Sequence, residues 1–202
     1  MIRVHGDKIL RRRKNYIKQN NYQQYTAILK EDFQNMCGYC GKDFSIISCP
    51  AHKDHLIPKK VAENNNRKDL ISSYENLVLS CSVCNRKKSD EWPFNNLDVL
   101  NDGKIGFVDP ASDEFDSCLC RDEEGKIIAV NDIGKYMYDI FDFQDRLTEI
   151  WWKLSKLKEN ITEIDNYLSN KNFGQEEFKK YYKLHKEFDC FCELLKTNKE
   201  ML

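Results

Sequence analysis

Two Cys-x-x-Cys pairs constrain the fold of this chain more than any other feature. Cys37 and Cys40 form one pair, Cys81 and Cys84 form the other, and 40 residues separate them. Each pair can direct two thiolates toward one point, and four thiolates satisfy the tetrahedral preference of zinc. A glycine inside the first pair and another just after it permit the tight turn that such a knuckle needs. The sequence therefore predicts a structural zinc site that is closed to water.

Polar residues typical of metal-dependent hydrolases lie between and beside the two pairs. Asp54 and His55 are adjacent, and Asn76 and Asn85 follow. Hydrolases use an imidazole to take a proton from water, and carboxylate and amide oxygens to bind hard divalent cations. An unperturbed imidazole has a pKa near ~6.5, so its neutral form is available at cellular pH. We interpret residues 37–88 as a zinc-stapled catalytic module.

Local patterns in this module predict two strands followed by a helix. Pro58 disfavours a helical conformation just before it, so we expect an extended segment at residues 54–58. Residues 76–80, Asn-Leu-Val-Leu-Ser, are typical of a short buried strand that leads into the second pair. A helix then starts with three consecutive cations that are candidates for phosphate contacts. These cations are Arg86, Lys87 and Lys88.

The order of the motifs resembles that of the zinc-bearing HNH endonucleases, whose site is the ββα-metal fold. The motifs are Cys-x-x-Cys, Asp-His-x-x-Pro, Asn-Leu-Val-Leu and Cys-x-x-Cys-Asn-x-x-Lys, all within residues 36–92. The resemblance implies that His55 is the general base and that Asp54, on the opposite side of an extended chain, binds Mg²⁺ or Mn²⁺. Asn85 stands at the family's final His position as a second metal ligand, which makes an H-N-N variant. Asn76 would brace the loop around His55.

The region after residue 92 is similar in layout to the HNH proteins of retrons and of Septu-type anti-phage systems. An Asp-Pro segment at residues 107–110 follows the core, and an acidic turn ends in Gly125-Lys126. A helical tail completes the resemblance. It implies a nuclease of bacterial defence that acts with a partner ATPase, for which the acidic tail is the natural docking surface.

The distribution of charge agrees with a nucleic-acid partner for the first part of the chain. Residues 1–30 carry eight Lys and Arg against one acid, and residues 31–90 carry nine against eight. Residues 91–202 carry fifteen against twenty-four, so a polyanion would be repelled there. The basic cluster near the N-terminus contacts phosphates or forms a solvated helix face. Its arginines are Arg11, Arg12 and Arg13.

The patterns together predict an α+β fold with four segments. Residues 1–36 form a basic helical lead-in, and residues 37–95 form the HNH nuclease core. Residues 96–133 contain a β-hairpin with strands near 115–121 and 126–130 around a Gly turn, and residues 134–202 form a helical hairpin.

Apolar residues spaced by three and four define the two helices of the last segment. The first helix pattern runs from Ile140 through Phe143 to Leu168, residues 169–174 interrupt it, and a second pattern ends at Leu195. The two helices pack on each other or form a coiled coil with a partner. His185 falls in the same seam, as a packed side chain or a ligand.

Composition indicates a globular chain. Hydrophobic residues make up 41% and charged residues 32%. No apolar run approaches the ~18–20 residues that span a bilayer, and the N-terminus lacks the apolar core of a signal peptide. We therefore expect a cytoplasmic protein without membrane contact, whose cysteines bind metal or stay reduced. Cys49 with His52 is a rival ligand pair, although we favour Cys49 as a small buried hydrophobe because the Cys-x-x-Cys pairs already fill four positions. Cys118 with Cys120 is a conceivable second metal site.

Three functions are compatible with these observations. The first is a metal-dependent endonuclease that cuts DNA as the effector of a defence system. A non-catalytic zinc-ribbon module that binds nucleic acid or protein needs the cysteines but not Asp54, His55 and Asn85 together. A stand-alone restriction endonuclease needs a sequence-reading element, and the sequence contains no helix-turn-helix signature.

Overall fold

A computed structural model describes residues 1–46, 50–146, 148–168 and 174–197. These residues form both helices and strands, which confirms the predicted mixture. The strands are β1 (Ile2–Arg3), β2 (Ala51–His55), β3 (Leu77–Cys81), β4 (Leu119–Arg121) and β5 (Ile127–Ala129). The α-helices are α1 (Thr26–Asp32), α2 (Lys59–Asn64), α3 (Ser82–Lys88), α4 (Phe115–Cys118), α5 (Asp132–Ile140), α6 (Thr148–Leu168) and α7 (Gln175–Thr197). Short 3₁₀ turns occupy Tyr22–Tyr25, Lys68–Ile71, Tyr74–Asn76 and Phe143–Asp145.

The centre of the molecule is the antiparallel pair β2–β3, which runs directly into α3. Asp54 lies opposite Val78 and His55 opposite Leu77 in this pair. Every residue of β3 is buried, because its apolar run is covered on both faces. Cys81 ends the strand and caps the helix, since its sulfur accepts a hydrogen bond from the backbone N–H of Cys84 at 3.4 Å. The strand therefore delivers the second cysteine pair beside the start of β2.

The N-terminal segment packs against this centre and also joins a second sheet. Tyr25, Leu29 and Phe33 are buried, so the predicted helix places its apolar face on the core. The first residues form β1, which pairs with β4 in a three-stranded sheet of order β1-β4-β5. The sequence had given no sign of this strand, because two residues are too few to establish a period.

The hairpin of β4 and β5 is present, but its first strand is shorter than predicted. Residues 115–118 form α4, not strand, and Phe115 and Cys118 are both buried. Their spacing of three places them on one face of a helical turn, which explains the difference. Cys118 therefore does not share a strand with Cys120.

Helices α6 and α7 pack on each other as an antiparallel hairpin. Leu154 and Leu195 lie in one apolar cluster at the base, and the hydroxyl of Tyr181 donates to Asp165 at 2.8 Å farther along. The prediction that the seam begins at Ile140 and Phe143 is wrong. These residues belong to α5 and the following 3₁₀ turn and pack on the main core.

A left-handed residue accounts for this early interruption, because Asp142 has φ 53° and ends the helical path after α5. His185 is half-buried in the hairpin, with its ring 4.4 Å from that of Tyr181. The predicted interruption at residues 169–174 lies outside the described residues except for Gly174, and so does Leu147. Among the helices described, none is both long enough and apolar enough to cross a bilayer.

Candidate active site and cysteine cluster

The four predicted zinc ligands come together. The sulfurs of Cys37, Cys40, Cys81 and Cys84 lie within 4.8 Å of one another, and all four residues are buried. The Cys40 and Cys81 sulfurs are 3.8 Å apart. Zinc with bonds of about 2.3 Å to four tetrahedral sulfurs requires a sulfur–sulfur separation of about 3.8 Å, so the cluster fits this metal.

Across the described residues there is no second cluster of three or more His, Cys, Asp or Glu ligand atoms. Cys118 and Cys120 therefore have no companions for a metal site there. Cys49, the proposed rival ligand, lies outside the described residues.

Arg146 contacts the cysteine cluster from the C-terminal half of the chain. Its Nη1 donates to the sulfur of Cys84 at 3.1 Å, and its Nη2 lies 4.0 Å from that of Cys81. Burial disfavours the charge on Arg146, but the surrounding sulfurs outweigh it and hold the pKa of the guanidinium above its usual range. Four thiolates around Zn²⁺ leave about two negative charges, so this cation offsets part of them.

The predicted catalytic residues line an open cleft beside the cluster. Its volume is about 520 Å³. Three of the four predicted active-site residues, Asp54, His55 and Asn85, face it together with Arg86. The other lining residues are His52, Lys53, Pro58, Lys59, Ser82, Ser89 and Asp90. Strand β2 and helix α3 thus place an imidazole, a carboxylate, an amide and a guanidinium around one solvent-filled space.

A hydrogen bond fixes the orientation and the tautomer of His55. Its Nε2 lies 2.9 Å from the carbonyl oxygen of Ile71. A carbonyl can only accept, so Nε2 carries the proton and the neutral ring leaves Nδ1 unprotonated. Burial lowers the pKa of His55 below its ordinary value of 6.5, which favours this neutral form. The ring of Tyr22 packs edge-on against the imidazole at 4.8 Å.

Asn76 is buried and connects the two segments that surround His55. Its Oδ1 accepts from the backbone N–H of Ile57 at 2.8 Å, and its Nδ2 donates to the carbonyls of Ile57 and Leu70, both at 3.0 Å. Leu70 directly precedes Ile71, whose carbonyl binds His55. Asn76 therefore ties the end of β2 to the loop that orients the imidazole.

Asp54 forms a buried pair with Lys88. The Lys88 ammonium lies 3.7 Å from Oδ2 of Asp54 and donates to the carbonyl of His55 at 2.8 Å. Burial raises the pKa of Asp54, and the Lys88 charge and a tyrosine hydroxyl partly offset that effect. The prediction that Lys88 contacts phosphate needs correction, because its side chain is fully buried. Lys88 lies four residues after buried Cys84, which places it on the interior face of α3.

Arg12 also differs from its predicted role on the surface. Its side chain is 12% exposed and donates to both carboxylate oxygens of Asp109, at 2.9 and 3.0 Å. It also donates to the carbonyls of Tyr74 and Leu77, on either side of Asn76. Arg12 is thus an internal brace, and Asp109 of the Asp-Pro segment holds it in place.

The remaining predicted phosphate contacts are distributed over the surface. Arg13 pairs with Asp32 and Glu31, and Lys87 pairs with Asp142. Arg11 is 70% exposed and lies 3.8 Å from Asp113. Arg86 is exposed and lines the cleft, where Lys53 and Lys59 add positive charge that the sequence had not singled out.

Two contacts of this region, one buried and one partly buried, were missed at the level of sequence. Tyr39 lies between two predicted zinc ligands, so the sequence places it near the cysteine cluster. The sequence does not indicate that Tyr39 contacts Asp54, 15 residues away. Arg146 reaches Cys84 across 62 residues and had no local signal. Both contacts depend on how distant elements pack.

Residues 37–91 match the family model described as HNH endonuclease. The matched segment includes both cysteine pairs, β2, β3 and α3, and thus all residues of the cleft. Searches of curated proteins and of solved structures gave no significant match. Over this central segment the chain is therefore similar to HNH endonucleases.

Proposed function

We propose that this chain is a metal-dependent HNH endonuclease that hydrolyses phosphodiester bonds of DNA from a zinc-stapled ββα-metal core. The observation that carries the proposal is the geometry of His55. Its Nε2–H is held by the Ile71 carbonyl, which leaves Nδ1 unprotonated, and His55 lines a cleft together with Asp54, Asn85 and Arg86.

The donor set of the cleft fits a hard divalent cation. Asp54 offers a carboxylate and Asn85 an amide oxygen, which suit Mg²⁺ or Mn²⁺ with waters in the remaining positions. When bound, such an ion stabilises negative charge at the scissile phosphate and on the departing oxygen. The cysteine cluster has only sulfur donors and no open position, so its zinc serves the fold.

Side chains of the cleft would supply the general base and the phosphate contacts. His55 takes a proton from the attacking water at Nδ1, and Asn76 and Ile71 keep its ring in place. Arg86 binds a phosphate group at the cleft, with Lys53 and Lys59 nearby. By resemblance to the family, the products have 5′-phosphate and 3′-hydroxyl ends.

The setting we propose is bacterial anti-phage defence in the cytoplasm. The layout that resembles retron and Septu-type HNH proteins supports this setting, and the Asp-Pro segment is attached to the site through the Arg12–Asp109 pair. The helical hairpin of α6 and α7 would dock a partner ATPase that senses infection. Neighbouring genes for an ATPase or a reverse transcriptase would support this setting over a stand-alone restriction enzyme.

Plasmid cleavage with Mg²⁺ or Mn²⁺ tests the proposed activity. We expect the wild type to cut and His55→Ala to lose about 10²–10⁴-fold in rate, the usual contribution of a general base. His185→Ala, the same change in the distant helical hairpin, should cut like the wild type. Zinc content and melting curves establish that each variant is folded.

Two results would contradict parts of this proposal. Cutting by His55→Ala at the wild-type rate would show that His55 is not the general base. No cutting by the wild type, even with an ATPase encoded alongside, would favour the zinc-ribbon binding module.

A further inference from the structure

Tyr39 connects the cysteine cluster to the cleft. It lies between Cys37 and Cys40 in the first knuckle and is fully buried. Its ring packs on Phe141 at 4.5 Å, and its hydroxyl donates to Oδ2 of Asp54 at 2.6 Å. A single side chain thus spans from the cysteine cluster to the carboxylate of the cleft.

The hydrogen bond has the geometry of a strong, orienting contact. Hydroxyl-to-carboxylate bonds of about 2.5–2.7 Å are charge-assisted and roughly twice as strong as neutral ones. Lys88 approaches the same oxygen, Oδ2, at 3.7 Å. Both interior contacts therefore hold one carboxylate oxygen of Asp54, while the residue itself lines the cleft.

The backbone around Tyr39 is held from three directions, so its hydroxyl has a fixed position. The N–H of Gly38 donates to the Leu79 carbonyl of β3 at 2.8 Å, and the N–H of Gly41 closes the knuckle on Cys37 at 2.9 Å. The Nε2 of His5 donates to the carbonyl of Gly38 at 2.8 Å. A cation bound by the flanking cysteines would restrain the knuckle further.

We propose that Tyr39 is a positioning residue for the cation of the cleft. Its hydroxyl holds Oδ2 of Asp54 so that Oδ1 is presented to a divalent cation together with Asn85. The four-cysteine cluster thereby controls the geometry of the second metal site as well as the fold. This inference rests on the proposed function, in which Asp54 is a metal ligand.

Loss of the hydroxyl should weaken cation binding through Asp54 alone. Tyr39→Phe keeps the ring packed on Phe141 but frees the carboxylate to rotate toward the Lys88 ammonium, which competes with a cation. Removal of a residue that orients a metal ligand commonly costs about 10–100-fold in affinity. We therefore expect the Kd for Mn²⁺ to rise by about tenfold or more.

Binding of Mn²⁺, followed by the electron paramagnetic resonance signal of the free ion, is the measurement. The full chain carries His55→Ala in every sample, so binding is measured without turnover. The variants compared on this background are Tyr39→Phe, Asp54→Asn and Tyr181→Phe. Tyr181→Phe is the matched control, because it removes a Tyr–Asp hydrogen bond of 2.8 Å from the distant hairpin.

The outcomes separate this inference from the proposed function. Weaker Mn²⁺ binding in Tyr39→Phe and Asp54→Asn, with Tyr181→Phe unchanged and zinc content and melting intact, supports it. If only Asp54→Asn loses affinity, Tyr39 does not position the ligand and the nuclease proposal stands. If Asp54→Asn also binds normally, Asp54 is not a ligand and the metal site of the proposed function fails. Loss of zinc in Tyr39→Phe overturns the inference, because the hydroxyl would then serve the knuckle.

With His55 restored, the same change gives a kinetic readout. The Mg²⁺ concentration for half-maximal cleavage should rise about tenfold in Tyr39→Phe, while kcat at saturating Mg²⁺ stays within a few-fold of the wild type. A fall in kcat with an unchanged metal requirement would contradict a positioning role.

Discussion

The cysteine cluster and the cleft share α3 but differ in burial and in donor atoms. The four cysteines are at most 3% exposed, and their partners are sulfur, an arginine and apolar side chains. In the cleft, Asp54 and His55 are each 7% exposed, Asn85 is half-buried and Arg86 is exposed, and the donors are oxygen and nitrogen. A closed sulfur site retains its metal and stabilises the fold, whereas an open oxygen site exchanges water and ligands.

From this difference we expect the cluster to stabilise the fold and the adjacent cleft to carry the proposed chemistry. Tyr39 joins the two, because it lies between Cys37 and Cys40 and donates to Asp54. Asn76 lies at the end of β3 opposite to Cys81 and supports the cleft through the loop that holds His55. Substitutions in the cluster should therefore change folding first, and substitutions near the cleft should change activity first.

The largest effect is expected when the cluster loses a ligand. Cys81→Ser removes one thiolate from a site whose binding energy is folding energy, and we expect the free energy of unfolding to fall on the order of 5 kcal/mol or more. Zinc analysis and thermal melting provide the measurement. Cys190→Ser, at an exposed cysteine of α7, is the matched control and should change neither. Normal melting with full zinc content in Cys81→Ser would refute the structural role.

Arg146→Met should destabilise the cluster without removing a ligand. It deletes a charge-assisted hydrogen bond to Cys84, worth about 1.5–3 kcal/mol, and leaves the excess thiolate charge uncompensated. We expect a lower denaturation midpoint and faster zinc release to a chelator. Arg146→Lys retains the positive charge but lacks the two guanidinium nitrogens that approach Cys84 and Cys81. Its effect should therefore be smaller than that of Arg146→Met. Identical zinc release from all three proteins would show that the guanidinium only packs.

Asn76→Ala tests the support of the cleft by the loop that holds His55. Three buried hydrogen bonds are lost, so we expect destabilisation of about 2 kcal/mol and a loss of activity of about 10–100-fold as the loop that holds His55 relaxes. Affinity for Mn²⁺ should stay nearly intact, because Asn76 is not placed among the metal ligands. Cleavage at the wild-type rate would show that Asn76 does not support the active site.

His5 should make the stability of the folded protein depend on pH. Burial lowers the pKa of His5 from 6.5 to about 4, and its Nε2 donates to the carbonyl of Gly38. The unfolded chain therefore binds this proton at higher pH than the folded protein does, so stability falls as the pH drops from 6.5 toward 4. From about pH 7.5 to about pH 5 the loss attributable to His5 is about 2 kcal/mol.

Denaturant unfolding at these two pH values measures how the free energy of unfolding changes with pH, for the wild type and for His5→Gln. The Gln amide can still donate a hydrogen bond to the Gly38 carbonyl. The Gln variant should lose less stability on acidification. Equal losses in both proteins would assign the pH dependence to other groups, such as the thiolates.

Much of this arrangement could be predicted from local sequence. The cysteine spacing, the Asp54-His55 pair and the period of residues 22–33 each report geometry within a few residues, and the corresponding cluster, strand and helix are present. The start of the hairpin was predicted wrongly because residues 115–118 are too short for a period to separate strand from helix.

Spacing and residue chemistry already define the candidate metal-binding pairs and the candidate catalytic side chains, because those properties are local. Tertiary packing alone decides which charges are buried. Lys88 and Arg12 look like surface cations in the sequence, yet they bind Asp54 and Asp109 in the interior. Tyr39 and Arg146 acquire their partners in the same way, because the energy of a buried polar contact depends on distant groups that exclude water and meet at hydrogen-bonding distance.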